Sequence, residues 1–160
     1  MTESQNHPVF ELEKVYLKDV SFESPECPNI FLKQGFQPEI NVELLVDHTV
    51  LNPDEGYYEV VLSAEVKAVF ENRTVFLVAV QQAGIFKVKN FDETQLPAMI
   101  EVASPTQLLP FMRETVSELV SKGGFPQLLL SPVNFEILYA RKLEKMRERE
   151  EAAGAEQTTH

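Results

Sequence analysis

Cysteine occurs once in these 160 residues, at Cys27, and tryptophan not at all. A single thiol rules out an internal disulfide and fits a reducing compartment. Histidine is almost as scarce. His7, His48 and His160 fall in the amino-terminal tail, in a turn and at the carboxyl terminus, none is paired at metal-ligand spacing, and each is read as solvated. No stretch approaches the ~20 consecutive apolar residues of a membrane span. The opening MTESQNHPVFELEK has no basic segment leading into an apolar run, so neither a signal nor a transit peptide is expected. The expected location is the cytoplasm, with no direct membrane insertion.

Positive charge is also in deficit, 14 Lys and Arg against 25 Asp and Glu, a net charge of -11 that would repel nucleic-acid phosphates. That balance suits solubility and attraction to a basic or metal-carrying partner. Catalytic signatures are missing as well: no GxGxxG, P-loop, HExxH or GxSxG pattern is present. Cys27 lies between Glu26 and Pro28 with no nearby histidine to activate it, and the carboxylates are scattered along turns, strand faces and the last helix. The expectation is a protein that is not an enzyme and has no cofactor and no metal.

What is present describes a single domain. Hydrophobic residues make up 44% and charged residues 24%, as in a globular chain of this length. Residues 1–8 read as a flexible tail, 9–149 as the folded domain and 150–160 as a disordered acidic and polar tail. The centre of the pattern is Thr74 to Val88, apolar on both alternating sets: Phe76, Val78 and Val80 on one, Val75, Leu77 and Ala79 on the other. A strand of this kind is either covered on both faces within the chain or leaves one face for a partner.

Three more strands precede it. Val9 to Phe22 carries apolar pairs at Phe10 and Leu12, Val15 and Leu17, Val20 and Phe22; the phase slips twice, which predicts a long strand with bulges. Ile40 to Val46 and Tyr58 to Phe70 alternate regularly, and Glu71-Asn72-Arg73 makes a hairpin into the central strand. Between the first two strands, Ser24 to Pro38 holds three prolines and a glycine. It is read as a long crossover that leaves Ile30, Phe31, Leu32 and Phe36 exposed, and loops of this length tend to be functional. An antiparallel sheet with a Greek-key path follows.

After Asn90 the period turns helical. A short helix is expected within 92–103. Ser104-Pro105 resembles a helix start, with the true start near Leu109 or a kink at Pro110, and Gly123-Gly124 supplies the stop. Ser131-Pro132 is expected to cap a last helix with Phe135, Leu138, Tyr139 and Met146 along one stripe. The second face of the central strand, the aromatic crossover and that stripe have no evident internal use, which points to interfaces. The rings Phe31, Phe36, Phe135 and Tyr139 either wall a groove for extended apolar polypeptide or fill a core.

The segments KVYLKDVSFESPECPNIF, EGYYEVVLSAEV, VFLVAVQQAGIF and LLPFMRETVSELVSKGGFPQLLLSPVNFEIL resemble the bacterial export chaperone SecB, in order and spacing, from about Val9 to Tyr139. The resemblance implies an α+β fold: a four-stranded antiparallel Greek-key sheet with two or three helices on one face. It also implies a homotetramer, a dimer of dimers with helices between two eight-stranded sheets. It implies an ATP-independent holdase that keeps precursor proteins unfolded and passes them to the SecA motor. The alternative within the family is a SecB-like chaperone dedicated to a toxin–antitoxin client.

By the same resemblance, the polypeptide groove carries over to Phe31, Phe36, Phe135 and Tyr139. SecA docking carries over to Asp19, Glu23, Leu77 and Ala79, with Glu59 and Glu65 sustaining the negative field, and assembly to Val78, Val80 and Gln82. Relatives often carry tryptophan where this chain has Phe36, and glutamate where it has Ala79. Asp19 and Glu23 share a strand face provided no bulge separates them.

Overall fold

The alternation of apolar and polar residues forms four long antiparallel strands: β1 (Val9–Glu23), β2 (Glu39–Asn52), β3 (Tyr57–Phe70) and β4 (Arg73–Lys89). They lie in the order β1-β4-β3-β2 in a single sheet of the computed structural model, which describes residues 6–157. Strands β2, β3 and β4 follow one another through tight turns, and the long crossover returns β2 to the edge opposite β1, a Greek-key path. The two-residue turn Glu71-Asn72 takes positive φ at both positions, which matches the twist of the hairpin it joins. At the other hairpin Asn52 Oδ1 accepts from the Asp54 and Glu55 amides, and Gly56 N-terminal to β3 takes φ +74.

Register sorts the side chains. Both predicted phase slips of β1 are bulges against β4, between Leu12 and Lys14 and between Leu17 and Asp19. They keep Phe10, Leu12, Val15, Leu17, Val20 and Phe22 in line with the even-numbered residues of β4, Val88 down to Val78. Those even residues form the covered face: Val78, Val80, Gln82 and Phe86 are all buried, together with Val60, Leu62, Ala64, Val66 and Ala68 of β3. The odd residues Leu77, Ala79, Gln81 and Ile85 form a second, half-open face without a helix over it. The alternative left open by the sequence is thus resolved as one covered face and one uncovered face.

The cover is helical. Leu96–Ala98 (α1), a π-helical turn at Met99–Ala103 and Ser104–Lys122 (α2) run on as one continuous rod. Ser104 is therefore not a helix start, contrary to the expectation from Ser104-Pro105; it is helical, and its backbone N–H and hydroxyl both donate to the Met99 carbonyl. The cause is Pro105, which has no N–H for the Glu101 carbonyl and crowds it, so the turn widens instead of closing. Pro110 likewise sits within α2 without ending it. The buried stripe Leu108, Leu109, Met112, Val116 and Val120 packs on β4 and β3. Gly123 closes the helix, where a Cβ would stand 2.3 Å from the Phe22 ring.

An extended connector leads to α3 (Phe135–Gln157). Its cap is Asn134, whose Oδ1 accepts from the Glu136 and Ile137 amides at 3.0 and 3.3 Å, rather than the expected Ser131. The helix runs on through residues 150–157, so the disordered tail expected from 150 is helical up to Gln157; residues 1–5 and 158–160, His160 among them, lie outside the described residues. In the crossover, Ile30 sits in a 3₁₀ turn (Asn29–Leu32) and is buried, and Phe36 is half-buried, whereas Phe31 and Leu32 are exposed. The sequence had no way to see that β3 ends and β4 begins beside this loop, where Phe36 meets Phe70.

Two of the three glycines with positive φ among the described residues separate strain from contact. A Cβ at Gly56 would meet the Val88 carbonyl oxygen at 2.5 Å, whereas one at Gly35 meets nothing within 4 Å. Gly35→Ala is expected to cost about 1 kcal/mol of left-handed strain, and Gly56→Ala at least about 3 kcal/mol, because the hairpin must also shift. Urea unfolding of the two variants measures the difference.

Candidate functional site

Two groups of side chains stand out, on opposite faces of the sheet. On the uncovered face the register is decisive. The second bulge of β1 falls before Asp19, so nothing intervenes between Asp19 and Glu23: Asp19 stands opposite Gln81, Ser21 opposite Ala79 and Glu23 opposite Leu77. Asp19, Glu23, Leu77 and Ala79 therefore share one face of the sheet. Glu65 of β3 stands opposite Ala79 on its other side, and Glu43 of β2 stands opposite Glu65. Like charges directly across a ladder are unfavourable, so this row costs stability and holds negative potential in return. The short Ala79 side chain leaves a hollow of about 420 Å³ there, bordered by Asp19, Glu43 and Glu65.

Glu59 does not extend that field as expected. The Lys18 ammonium lies 2.8 Å from its carboxylate, and the Tyr16 hydroxyl donates a short hydrogen bond to it. Lys18 reaches β3 because it is the residue between the two register-fixed positions of the bulge, where side chains are re-aimed. The hydrogen bond from Lys18, followed by that from Tyr16, holds the Glu59 carboxyl below its ordinary value against the opposing effect of burial. Burial, then the bond to Glu59, pushes the Tyr16 phenol up to about 12.

On the covered side, the aromatic residues of the crossover meet a ring that the sequence reading passed over. Phe125, in the connector after α2, lies 5.2 Å from Phe31, 6.1 Å from Phe36 and 5.0 Å from Phe76, centroid to centroid. Phe36 also stands edge-on to Phe70 at 5.3 Å, and Phe22 joins through Phe76. Phe125 falls in the last of the segments that resemble SecB, but its partners come from four separate segments, which that segment does not reveal. The cluster is open to solvent at Phe31, 50% exposed, and Leu32, next to it in the chain, is 84% exposed. It has a buried floor and an accessible rim, the form of an apolar binding surface.

Phe135 and Tyr139 are not in this cluster. Phe135 is 2% exposed and anchors the start of α3 in the core, so the core-filling reading applies to it. Tyr139, half-buried, lines hollows of about 240 and 440 Å³ on either side of α3, next to β2 and the π-turn. Between those hollows lies a buried charge. Glu101 accepts from Lys142 Nζ at 3.1 Å, and His48 Nδ1 stands 3.0 Å from the same Oε1. His48 is thus a paired residue of β2, not a solvated turn histidine; the strand runs six residues beyond its predicted end at Val46, and Glu101 is brought to it from a distant segment. Val78, Val80 and Gln82, which the resemblance assigns to assembly, are buried on the face that α2 covers, with Gln82 Nε2 donating to the Tyr16 carbonyl at 3.1 Å. No group of three or more metal-ligating side chains occurs among the described residues.

The family pattern of the preprotein translocase subunit SecB matches residues 3–146. A protein-export protein SecB of Marinobacter nauticus is 41% identical over 160 residues, covering 99% of this chain and 94% of its own. One from Dechloromonas aromatica is 45% identical over 143 residues, covering 89% and 92%. Among solved structures, a Mycobacterium tuberculosis SecB-like chaperone in complex with a ChAD peptide from an antitoxin shares the fold, with a TM-score of 0.66 at 17% identity over 78% of this chain and 90% of that one.

The pairing of Tyr16 with Glu59 has a measurable signature in a chain with four tyrosines and no tryptophan. In a phenolate absorbance titration, one tyrosine of the folded protein is expected to ionise near pH 12 rather than 10, and Tyr16→Phe to remove that late step. Because the folded pKa is the higher one, this group's stabilisation is complete below pH 10 and is lost as the pH rises towards 12. For Glu59 the folded value is the lower one, so its contribution is present above the usual carboxylate range and disappears as the pH falls below it.

Proposed function

The chain belongs to the SecB family of preprotein translocase subunits, and from that premise we propose that it is a protein-export chaperone that holds precursor proteins unfolded and hands them to the SecA motor. The observation that best supports the holding role is the Phe125 cluster, whose rim residues Phe31 and Leu32 stand in solvent. An unfolded chain exposes apolar side chains, and burying them against such a rim yields about 25 cal/mol per Å². Affinity built this way depends on area and not on sequence. Phe36 supports the rim from beneath, and Tyr139 belongs to a second apolar surface beside α3. Phe135 would contribute by fixing the base of that helix.

Docking to SecA falls to the opposite face, at Asp19, Glu23, Leu77 and Ala79, with Glu65 and Glu43 adding charge. Separate faces allow the client and the motor to be bound together. The working form is a homotetramer, a dimer of dimers in the cytoplasm. Leu17 and Val20 on the helix side of β1 and Phe111 on α2 expose apolar surface for that assembly. Val78, Val80 and Gln82 would act on it indirectly, by setting the seat of α2. Several weak subsites across four copies raise avidity through effective concentration. Release requires the motor or the client's own folding to compete, with no enzymatic step. Dedication to a toxin–antitoxin client is the lesser reading, since the SecB-like chaperone in the antitoxin-peptide complex is 17% identical to this chain and the export relatives are 41–45% identical.

Phe31→Asp with Leu32→Asp is expected to weaken binding of a reduced, unfolded precursor at least about tenfold, the loss of two apolar side chains from the interface, while light scattering gives an unchanged mass. Unaltered affinity would remove the rim from the binding surface. Asp19→Lys with Glu23→Lys is expected to weaken SecA binding, most visibly at low salt, and to leave precursor binding unchanged; loss of both activities would point to misfolding instead.

A further inference from the structure

A buried charge lies between the two hollows, in the wall of the apolar surface beside α3. Glu101 lies in the π-turn and its side chain is 7% exposed. Both of its oxygens accept from Lys142 of α3, at 3.1 and 3.2 Å, and its Oε1 also faces His48 of β2. Lys142 Nζ further donates to the Val46 carbonyl at 2.8 Å. One ammonium thus ties α3 to both the π-turn and the edge strand. A carboxylate held away from water is stable only while its cationic partner stays in place.

Everything else that fastens α3 is slight. Phe135 is its one buried residue among those described, and Leu138, Tyr139 and Lys142 are half-buried. From Leu143 to Gln157 every residue is exposed. The helix is entered through an extended connector that begins at Gly123 and Gly124, and is capped at Asn134. So α3 has a pivot at Phe135 and, two turns on, a polar catch at Lys142, with solvent beyond. The hollows on the two sides of that catch share Glu101, Tyr139 and Lys142 in their walls. Apart from α3 itself, one is walled by Leu44 and Val46 and the other by Val50, Tyr58 and Ile100. Lifting α3 about its pivot joins them into one apolar trough along β2.

We infer that Lys142, Glu101 and His48 form a catch that holds α3 closed over this trough, and that release of the catch opens the trough to an extended client segment. The inference rests on the holding role proposed above for its occupant, but not for the catch itself. All three are positioning residues: they control the helix, and the trough's apolar walls do the binding. Hydrogen bonds to a charged group are strong enough that losing one raises local opening at least about tenfold.

The test is native-state hydrogen exchange on the full chain, with Lys142→Met and Glu101→Gln, alone and combined. Lys142→Met is expected to speed exchange of the α3 amides before Leu143 at least about tenfold, with β3 and α2 unchanged and capture of a reduced, unfolded precursor several-fold faster. Glu101→Gln, which keeps the shape and drops the charge, should do the same to a smaller extent. The double variant should be no looser than Lys142→Met, since the interaction is already gone. Unchanged α3 exchange in Lys142→Met would overturn the catch, as would equal acceleration in β3, which would make Lys142 a support of the whole core. Faster α3 exchange with unchanged capture would overturn the assignment of the trough to clients. Failure of the wild-type protein to capture any precursor would instead sink the holding role and leave the exchange result standing.

Discussion

The constraint on which the rest depends is the strict two-residue period of the sheet combined with cover on only one side. Each strand must present one set of side chains to α2 and the other set away from it. β4 meets this with apolar residues on both sets, but the even set reads Phe76, Val78, Val80, Phe86 and is sealed by α2, while in the odd set Val75 and Ala83 are buried and Leu77, Ala79 and Ile85 are half-open. A slip of one residue between β1 and β4 would carry Asp19 and Glu23 onto the covered face. The two bulges of β1 prevent that over a fifteen-residue strand, by resetting the phase where its own apolar pattern shifts.

That arrangement separates two kinds of surface without a second domain. Charge collects on the face with no helix over it, where carboxylates stay hydrated and their repulsion across Glu43 and Glu65 is screened. Apolar surface collects where loops and helices leave the covered face incomplete, at the Phe31 rim and along α3. The Phe125 ring connects the first of these to the core: it touches rings from the crossover and from β4, so the exposed rim rests on a rigid base. The second lies beside a helix with little apolar burial of its own, and there a buried ion pair takes over the work of holding the parts together.

The helical layer shows how a local rule can mislead when context overrides it. Ser-Pro is a common helix start, and both Ser104-Pro105 and Ser131-Pro132 read that way. Neither is one. At Pro105 the preceding residues Leu96 to Ala103 are already helical because Ile100 is buried on the sheet, and the chain accommodates the missing N–H with a π-turn. That turn is also what presents Glu101 to Lys142 and His48. At Pro132 the chain stays extended until Asn134 caps it.

By itself the sequence determined the strands, the two phase slips of β1 and the hairpin at Glu71-Asn72, because each follows from side-chain alternation within a few residues; that Asp19, Glu23, Leu77 and Ala79 share one face needed the β1–β4 register. The family, too, was readable from the motifs. Tertiary structure alone decided that Phe135 is core while Phe31 is rim, that Phe125 gathers rings from four segments, and that Lys18 and Tyr16 take Glu59 out of the acidic field. It alone paired His48 with Glu101 and Lys142. These depend on contacts between residues more than 40 positions apart, which no periodicity records. Local pattern specifies which way a side chain points; only the packed chain specifies what it meets.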